Sequence, residues 1–115
     1  MTPESPRRGE VWIVDFSPGR GSEQKGLRPA LVLQNDVGNR YAATTIVAAI
    51  TSTIRIYPVT VALKKGDGGV GQPSMVNLAQ ILTVDKARLR KRLGALPPEQ
   101  TAQVDDAIRI SLGLP

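Results

Sequence analysis

The chain has 115 residues, of which 41% are hydrophobic, and its 15 lysines and arginines against 10 acidic residues give a formal net charge of +5. This size fits one compact domain spanning 1–115, with 1–7 as a flexible N-terminus, and the charge favours an anionic partner such as nucleic acid. The sequence contains neither cysteine nor histidine, which excludes thiol nucleophiles, thiolate or histidine metal sites, and catalysis by an imidazole acid and base.

The acidic residues are mostly scattered singly along the chain. Because a metal ion here would depend on grouped carboxylates, we expect neither a metal nor another cofactor. No apolar run is long enough to cross a bilayer, and the charged residues near the N-terminus are not followed by an apolar segment. We therefore expect a soluble cytoplasmic protein without membrane contact.

The first two predicted strands enclose the most informative loop of the chain. Residues 10–16 are rich in β-branched and aromatic side chains, and 29–34 form a short apolar run typical of a buried strand. Between them, 21–29 are polar, bracketed by glycines, and end with Arg28 against Pro29. Loops on a rigid β scaffold often carry binding and catalytic residues, so this segment is a candidate site. An ordinary solvated hairpin loop is an equally good interpretation of this loop alone.

Three further strands are predicted in the middle of the chain. Turn-forming residues at 35–39 predict a hairpin from strand two into strand three at 44–51. Strand four is predicted over 57–63 and strand five over 74–81. The glycine-rich segment 64–73 between them is predicted to be a flexible loop.

The hydrophobic period changes near the C-terminus. Asp85 is suited to cap a short helical turn at 86–88, and 89–96 can add a last strand. A closing helix is predicted because four apolar residues recur at helical spacing, between a proline suited to the first turn and a glycine suited to the C-cap: Val104, Ala107, Ile108 and Leu112, with Pro98 and Gly113. Five or six short antiparallel strands with one C-terminal helix predict a mainly β fold, a small curled SH3-like barrel.

Two motifs that could suggest nucleotide binding have plainer interpretations. Residues 66–71 match GxGxxG, but a strand rather than a helix is predicted after them, so a dinucleotide site is not expected. The basic run could follow a phosphate backbone, yet beside a short helix we interpret it as solvated surface: Lys86, Arg88, Arg90, Lys91 and Arg92. Aromatic residues make up only 3% of the chain, which argues against a broad stacking platform for single-stranded nucleic acid.

Four separate blocks carry a family resemblance, in matching order: Arg8-Gly9-Glu10-Val11-Trp12, Gly21-Ser22-Glu23-Gln24, Arg28-Pro29-Ala30-Leu31-Val32 and Ala48-Ala49-Ile50-Thr51. Together they resemble the MazF/PemK family of toxin endoribonucleases, or mRNA interferases, over about 8–114. The resemblance implies a homodimeric SH3-like barrel that cuts single-stranded RNA at short sequences without a metal ion. It also implies silencing by a cognate antitoxin, whose binding segment we expect to be acidic and partly disordered.

The resemblance also implies site residues, with the family's catalytic arginine at Arg28 and its catalytic threonine at Thr51. Arg28 offers a planar charged fork for phosphate oxygens, and Thr51 offers a hydroxyl donor. Attack by the substrate's 2′-hydroxyl, which would leave a 2′,3′-cyclic phosphate and a 5′-hydroxyl, also needs a base. Glu23 is the nearby candidate, although it could instead orient Arg28 or Lys25 by charge pairing. We expect further polar side chains to contact RNA: Ser22, Gln24, Lys25, Asn39 and Gln80.

Two other functions stay open at this point. Gyrase-poisoning toxins with a similar fold bind a topoisomerase and cleave nothing, but they depend on a tryptophan on the last helix. This chain ends instead with Ser111-Leu112-Gly113-Leu114-Pro115. A non-enzymatic barrel that only binds RNA or an acidic protein would use Arg28 and the basic run. Incubation with a defined RNA separates the three functions, since only a nuclease shortens it.

Overall fold

The computed structural model describes residues 5–17 and 26–115. Within these residues the strands and α-helices are, in chain order, β1 (Glu10–Asp15), β2 (Leu27–Val32), α1 (Asp36–Tyr41), β3 (Thr44–Thr51), β4 (Thr60–Leu63), β5 (Ser74–Asp85), β6 (Leu89–Ala95) and α2 (Pro98–Leu112). Short 3-10 turns lie between consecutive strands of the chain, Asp67–Gly69 between β4 and β5 and Lys86–Arg88 between β5 and β6. No helix in the described part of the chain is long and apolar enough to cross a membrane.

The strands form one antiparallel sheet in the order β4-β5-β3-β2-β1-β6. The long strand β5 pairs with β3 and, over its first residues, also with β4. Its register with β3 breaks where Ala48 pairs with Ile81 but Ala49 pairs with Asn77, which leaves 78–80 as a bulge. Because a bulge bends a strand and increases its twist, the sheet curls at this point.

The curled sheet buries apolar side chains on both faces. Successive strand residues point to opposite faces, so Leu31 and Val32 of β2 belong to different hydrophobic clusters. The larger cluster joins Leu31 and Ile50 of the sheet to Val104 and Ala107 of α2. The fold is a mainly β curled half-barrel closed by a C-terminal helix, which confirms the predicted fold class.

Strands β2 and β3 pair antiparallel as predicted, but the predicted turn at 35–39 is wrong, because the short helix α1 connects the two strands. The Asn35 side chain accepts a hydrogen bond from the Gly38 backbone N–H at 2.8 Å and so caps the first turn. Asp36 in that turn adds a favourable negative charge at the helix start. Residues that commonly form turns therefore begin a helix here.

The remaining elements lie where the sequence predicts them, with shifted ends. Strand β2 begins earlier, β4 is shorter at its start, and β5 continues beyond residue 81. Helix α2 begins at Pro98, and Gly113 caps it with φ of 69°. At the N-terminus, residues 1–4 lie outside the described part, whereas Pro6 is buried and the Arg7 N–H donates to the Glu10 carboxylate at 2.8 Å.

Candidate active site

A pocket of about 370 Å³ opens where β2 begins and β3 ends. It is lined by Ile13, Arg28, Pro29, Ile50, Thr51, Ser52, Val70, Gly71, Gln72, Ser74 and Leu93. A larger depression of about 660 Å³ lies between residues 5–7 and α1, but it contains neither Arg28 nor Thr51. The smaller pocket is therefore the candidate site.

Strand pairing explains why Arg28 and Thr51 meet. Ala30 of β2 pairs with Ala49 of β3 in an antiparallel ladder. Arg28 lies two residues before Ala30, and Thr51 lies two residues after Ala49, so both occupy the same end of adjacent strands. The sheet itself thus places the two predicted catalytic residues on one pocket.

The two side chains offer complementary donors. Thr51 is half-buried, and its Oγ1 accepts a hydrogen bond from the Thr53 backbone N–H at 3.1 Å. That bond occupies an acceptor position and leaves the hydroxyl proton able to donate. Arg28 is exposed and can approach a ligand from solvent. A charged planar fork beside a hydroxyl donor fits an anion with several oxygens, such as a phosphodiester.

Apolar side chains form much of the rest of the pocket. Ile50 is buried at 1% exposure and Val70 at 4%, while Ile13 and Leu93 are half-buried. Such walls exclude water from part of the site, and electrostatic interactions strengthen as the local dielectric constant falls. A charged or polar donor that reaches this part of the pocket would therefore bind an anion more strongly than it would in open solvent.

Four predicted site residues, Ser22, Glu23, Gln24 and Lys25, lie outside the described residues. The two flanks of their segment are described, and the Phe16 N–H donates to the Gly26 carbonyl at 2.9 Å. This bond joins the end of β1 to the start of β2 at Leu27. Gly26, the first described residue after this segment, therefore lies beside the end of β1 and two residues before Arg28.

The structure corrects the expected RNA contact of Asn39, which is fully buried. Its Oδ1 accepts hydrogen bonds from Gln34 Nε2 at 3.1 Å and from Thr45 Oγ1 at 2.6 Å. Its Nδ2 donates to the Gln34 carbonyl at 2.8 Å. These bonds join α1 to the neighbouring strands, so the amide is engaged in the fold and is not accessible to a base.

The polar lining of the pocket differs in part from the predicted set. Gln80 is half-buried in the β5 bulge and is not one of the residues that line the pocket, and its contact with RNA stays a prediction. Ser52, Gln72 and Ser74 line the pocket but were not among the predicted residues. Adjacency to Thr51 could have indicated Ser52, and the GxGxxG match directly precedes Gln72.

The basic run divides into two groups. The Lys86 ammonium donates to the Asn39 carbonyl, and Arg88 donates to the carbonyls of Asp15 and Ser17. Arg90 pairs with the Asp15 carboxylate at 3.2 Å, and Arg92 pairs with Glu10 at 2.6 Å. Four of the five cations thus hold other parts of the protein, whereas the Lys91 ammonium makes no such contact within the described residues.

The Glu10 carboxylate is the centre of one of these contacts. Burial opposes its ionisation, but hydrogen bonds from the Arg7 N–H, Arg92 and the Trp12 indole outweigh burial and lower its pKa. Within 5–17 and 26–115, no three carboxylate, histidine or cysteine side chains are grouped so that they could hold a metal ion.

Comparisons with known proteins indicate one family. Residues 7–112 match the model of the PemK-like, MazF-like toxin of type II toxin-antitoxin systems. The chain is 46% identical over 110 residues to the endoribonuclease MazF of Staphylococcus saprophyticus, a match that covers 94% of this chain and 92% of that protein.

Solved structures share the fold over nearly the whole chain. An endoribonuclease from a mycobacterial species, in complex with its cognate antitoxin, has a TM-score of 0.82 and 30% identity, and the match covers 96% of this chain and 98% of that one. MazF from Deinococcus radiodurans has a TM-score of 0.83 and 27% identity, covering 97% of this chain and 100% of that one.

Proposed function

The chain belongs to the family of PemK-like, MazF-like toxins of type II toxin-antitoxin systems and is an endoribonuclease, and we propose that it cuts single-stranded RNA, mRNA included, at short sequences without a metal ion. The observation that carries this proposal is that Arg28 and Thr51 line the same pocket. The formal charge of +5 favours the approach of a polyanion.

We propose that the nucleophile is the 2′-hydroxyl of the nucleotide on the 5′ side of the scissile phosphate. Its oxygen forms a bond to phosphorus while the bond to the 5′-oxygen of the next nucleotide breaks. The departing 5′-oxygen takes up a proton from water, so the products are a 2′,3′-cyclic phosphate and a 5′-hydroxyl. With neither histidine nor cysteine in the chain, the substrate's own hydroxyl is the most available nucleophile.

Arg28 and Thr51 then stabilise the charge that develops on the phosphorane oxygens. The guanidinium of Arg28 binds two oxygens at once, and the Thr51 hydroxyl donates to one of them. A preorganised donor of this kind is worth about 10²–10³ in rate. A guanidinium offers donors and no acceptor, so Arg28 is not our proposed base. Glu23, in the segment that leads to β2, is our proposed base for the 2′-hydroxyl proton.

We also propose a homodimer and a cognate antitoxin as partners. Related toxins have been solved in complex with antitoxins, and an acidic, partly disordered antitoxin segment would compete with RNA for the cationic site beside Arg28. The homodimer follows from the family resemblance. Exposed apolar side chains at Ile54, Ile56 and Tyr57 are available to a partner.

The decisive experiment uses two RNAs of the same sequence, one of which carries a single 2′-deoxy substitution just 5′ of the scissile phosphate. The natural RNA should be cleaved at the same rate with and without EDTA, and its products should carry 2′,3′-cyclic phosphate and 5′-hydroxyl ends. The substituted RNA should bind but stay intact.

Three results would overturn parts of this proposal. Cleavage of the deoxy-substituted RNA would exclude 2′-hydroxyl attack, and inhibition by EDTA would indicate a metal-bound water as nucleophile. Binding without any cleavage of the natural RNA would leave a binding module in place of the nuclease.

A further inference from the structure

One wall of the pocket comes from the segment 64–73 between β4 and β5, which contributes Val70, Gly71 and Gln72. The sequence predicts a flexible loop here, but the structure shows an anchored one. The Asp67 carboxylate accepts hydrogen bonds from the Lys64 N–H and from Gln100 Nε2, both at 2.8 Å. Because Gln100 belongs to α2, the segment is tied to the closing helix.

Close backbone packing fixes the same segment against β6. A Cβ atom on Gly69 would lie 2.3 Å from the Leu93 carbonyl oxygen, and one on Gly94 would lie 2.8 Å from the Gly68 backbone. Gly69 also has φ of +86°, a conformation that favours glycine. The glycines therefore permit an approach that side chains would block, and Val70 is buried beside it at 4% exposure.

Gln72 leaves this anchored segment with an exposed side chain at the pocket. Its backbone is held as well, because the Ser74 hydroxyl donates to the Gln72 carbonyl at 2.9 Å. A primary amide carries two donors and an acceptor, the groups needed to recognise the edge of an unstacked base. Recognition is most precise when such a group is held by a rigid support.

We propose that Gln72 is a specificity-determining residue, which hydrogen bonds to the base of a nucleotide next to the phosphate bound by Arg28 and Thr51. This inference rests on the proposed ribonuclease function and adds the residue that selects the base at one position of the cleaved sequence.

The test is a cleavage-site profile on a pool of RNAs with random sequence, read by sequencing the product ends. Gln72→Ala should relax the preference at one position by about tenfold while leaving the other positions unchanged. Gln72→Glu keeps the shape but removes the donors, so it should change the preferred base at that same position. Lys65→Ala is the matched control, because Lys65 is exposed on the same segment but does not line the pocket.

A Gln72→Ala profile that superimposes on the profile of the unaltered protein would refute this role and leave the ribonuclease function standing. If the unaltered protein cuts no RNA in the pool, both the ribonuclease function and the role of Gln72 are refuted. The two failures are therefore distinguishable.

Strand β6 carries a second inference, which concerns Lys91. Its partner in the ladder with β1 is Ile13, and Ile13 lines the pocket. Directly paired residues of an antiparallel ladder project from the same face, so Lys91 stands on the pocket face at the edge of the sheet. Arg92 pairs with Trp12 and projects from the other face. Of the five basic side chains in this run, the one without such a contact among the described residues therefore stands on the pocket face.

We infer that Lys91 binds a phosphate of the RNA outside the scissile position. This inference also rests on the proposed function. Its test is the salt dependence of binding to the uncleavable deoxy-substituted RNA. Each phosphate contact to a single strand contributes about 0.7 to the slope of log K against log salt, so Lys91→Ala should reduce the slope by about 0.7.

Arg90→Ala is the matched control, because it removes one charge from the same strand at a residue already paired with Asp15. Its slope should equal that of the unaltered protein. Equal slopes for Lys91→Ala and Arg90→Ala would refute the phosphate contact. If Lys91→Ala loses cleavage specificity without a change in slope, Lys91 recognises a base instead.

Discussion

Gly69 provides a sharp test of the anchored segment, because Gly66 of the same segment is a matched control. Both glycines have positive φ, +86° and +97°, so alanine at either position costs about 1–2 kcal/mol in backbone strain. Only at Gly69 does the new Cβ meet another group, the Leu93 carbonyl oxygen at 2.3 Å, while at Gly66 nothing lies within 4 Å.

The clash adds the cost of overpacking, about 1–3 kcal/mol. Leu93 cannot simply withdraw, because it is the extra residue of a bulge: its neighbours Arg92 and Gly94 pair with Trp12 and Val11. Gly69→Ala should therefore be less stable than Gly66→Ala by about 1–3 kcal/mol.

Urea unfolding followed by the fluorescence of Trp12 measures this difference as a shift in midpoint at constant slope. The cleavage profile of Gly69→Ala should also broaden, since Gln72 loses its support. If the two variants unfold at the same urea concentration, the segment is not held against β6 and the support for Gln72 is refuted.

Other substitutions test the site and its surroundings. Arg28→Ala should abolish cleavage with unchanged thermal unfolding, and Arg28→Lys should restore little, because a point charge cannot bind two oxygens as a fork does; full activity of the lysine variant would contradict that role. Thr51→Ala should slow cleavage by about 10²–10³-fold in single-turnover assays, and Thr51→Ser should retain part of the rate; equal losses would indicate packing instead. For Asp67, hydrogen bonds from Gln100 and the Lys64 N–H lower the pKa below its ordinary value of 3.8. The charged form therefore stabilises the fold above that value, and the contribution is lost as pH falls through the lowered pKa. The stability deficit of Asp67→Asn, measured by urea unfolding, should accordingly shrink in acid, and a deficit independent of pH would contradict it.

The strands and α2 could be predicted because their signals are local. Runs of β-branched residues define β1 and β3, and apolar residues at helical spacing between Pro98 and Gly113 define α2. Helix α1 could not be predicted in the same way. Its residues suit a turn and a helix start equally well, and the choice depends on burial of Asn39 against Gln34 and Thr45, contacts that no local pattern shows.

The sequence predicts one part of the candidate site, Arg28 and Thr51, but not the other part, the wall that carries Gln72. The family resemblance predicted roles for Arg28 and Thr51, and the pairing of Ala30 with Ala49 explains why both residues line one pocket. Gln72 was not predictable, because its place depends on contacts between distant parts of the chain: Gly69 against the β6 bulge, and Asp67 against α2. A glycine-rich sequence, taken by itself, indicates a flexible backbone. In this structure the glycines instead permit close packing of the backbone.

The central ladder and the segment 64–73 should tolerate substitution to different degrees. Arg28 and Thr51 lie at one end of the central ladder of the sheet, whose residues Ala30, Leu31, Ala48 and Ala49 are almost fully buried, so substitutions in this ladder endanger the fold itself. The wall that carries Gln72 lies outside this ladder. It is held by close backbone packing at glycines and by one hydrogen bond between side chains. Changes at 64–73 should therefore alter which RNA sequence is cut before they alter whether RNA is cut, and a set of variants in this segment should differ more in cleavage profile than in maximal rate.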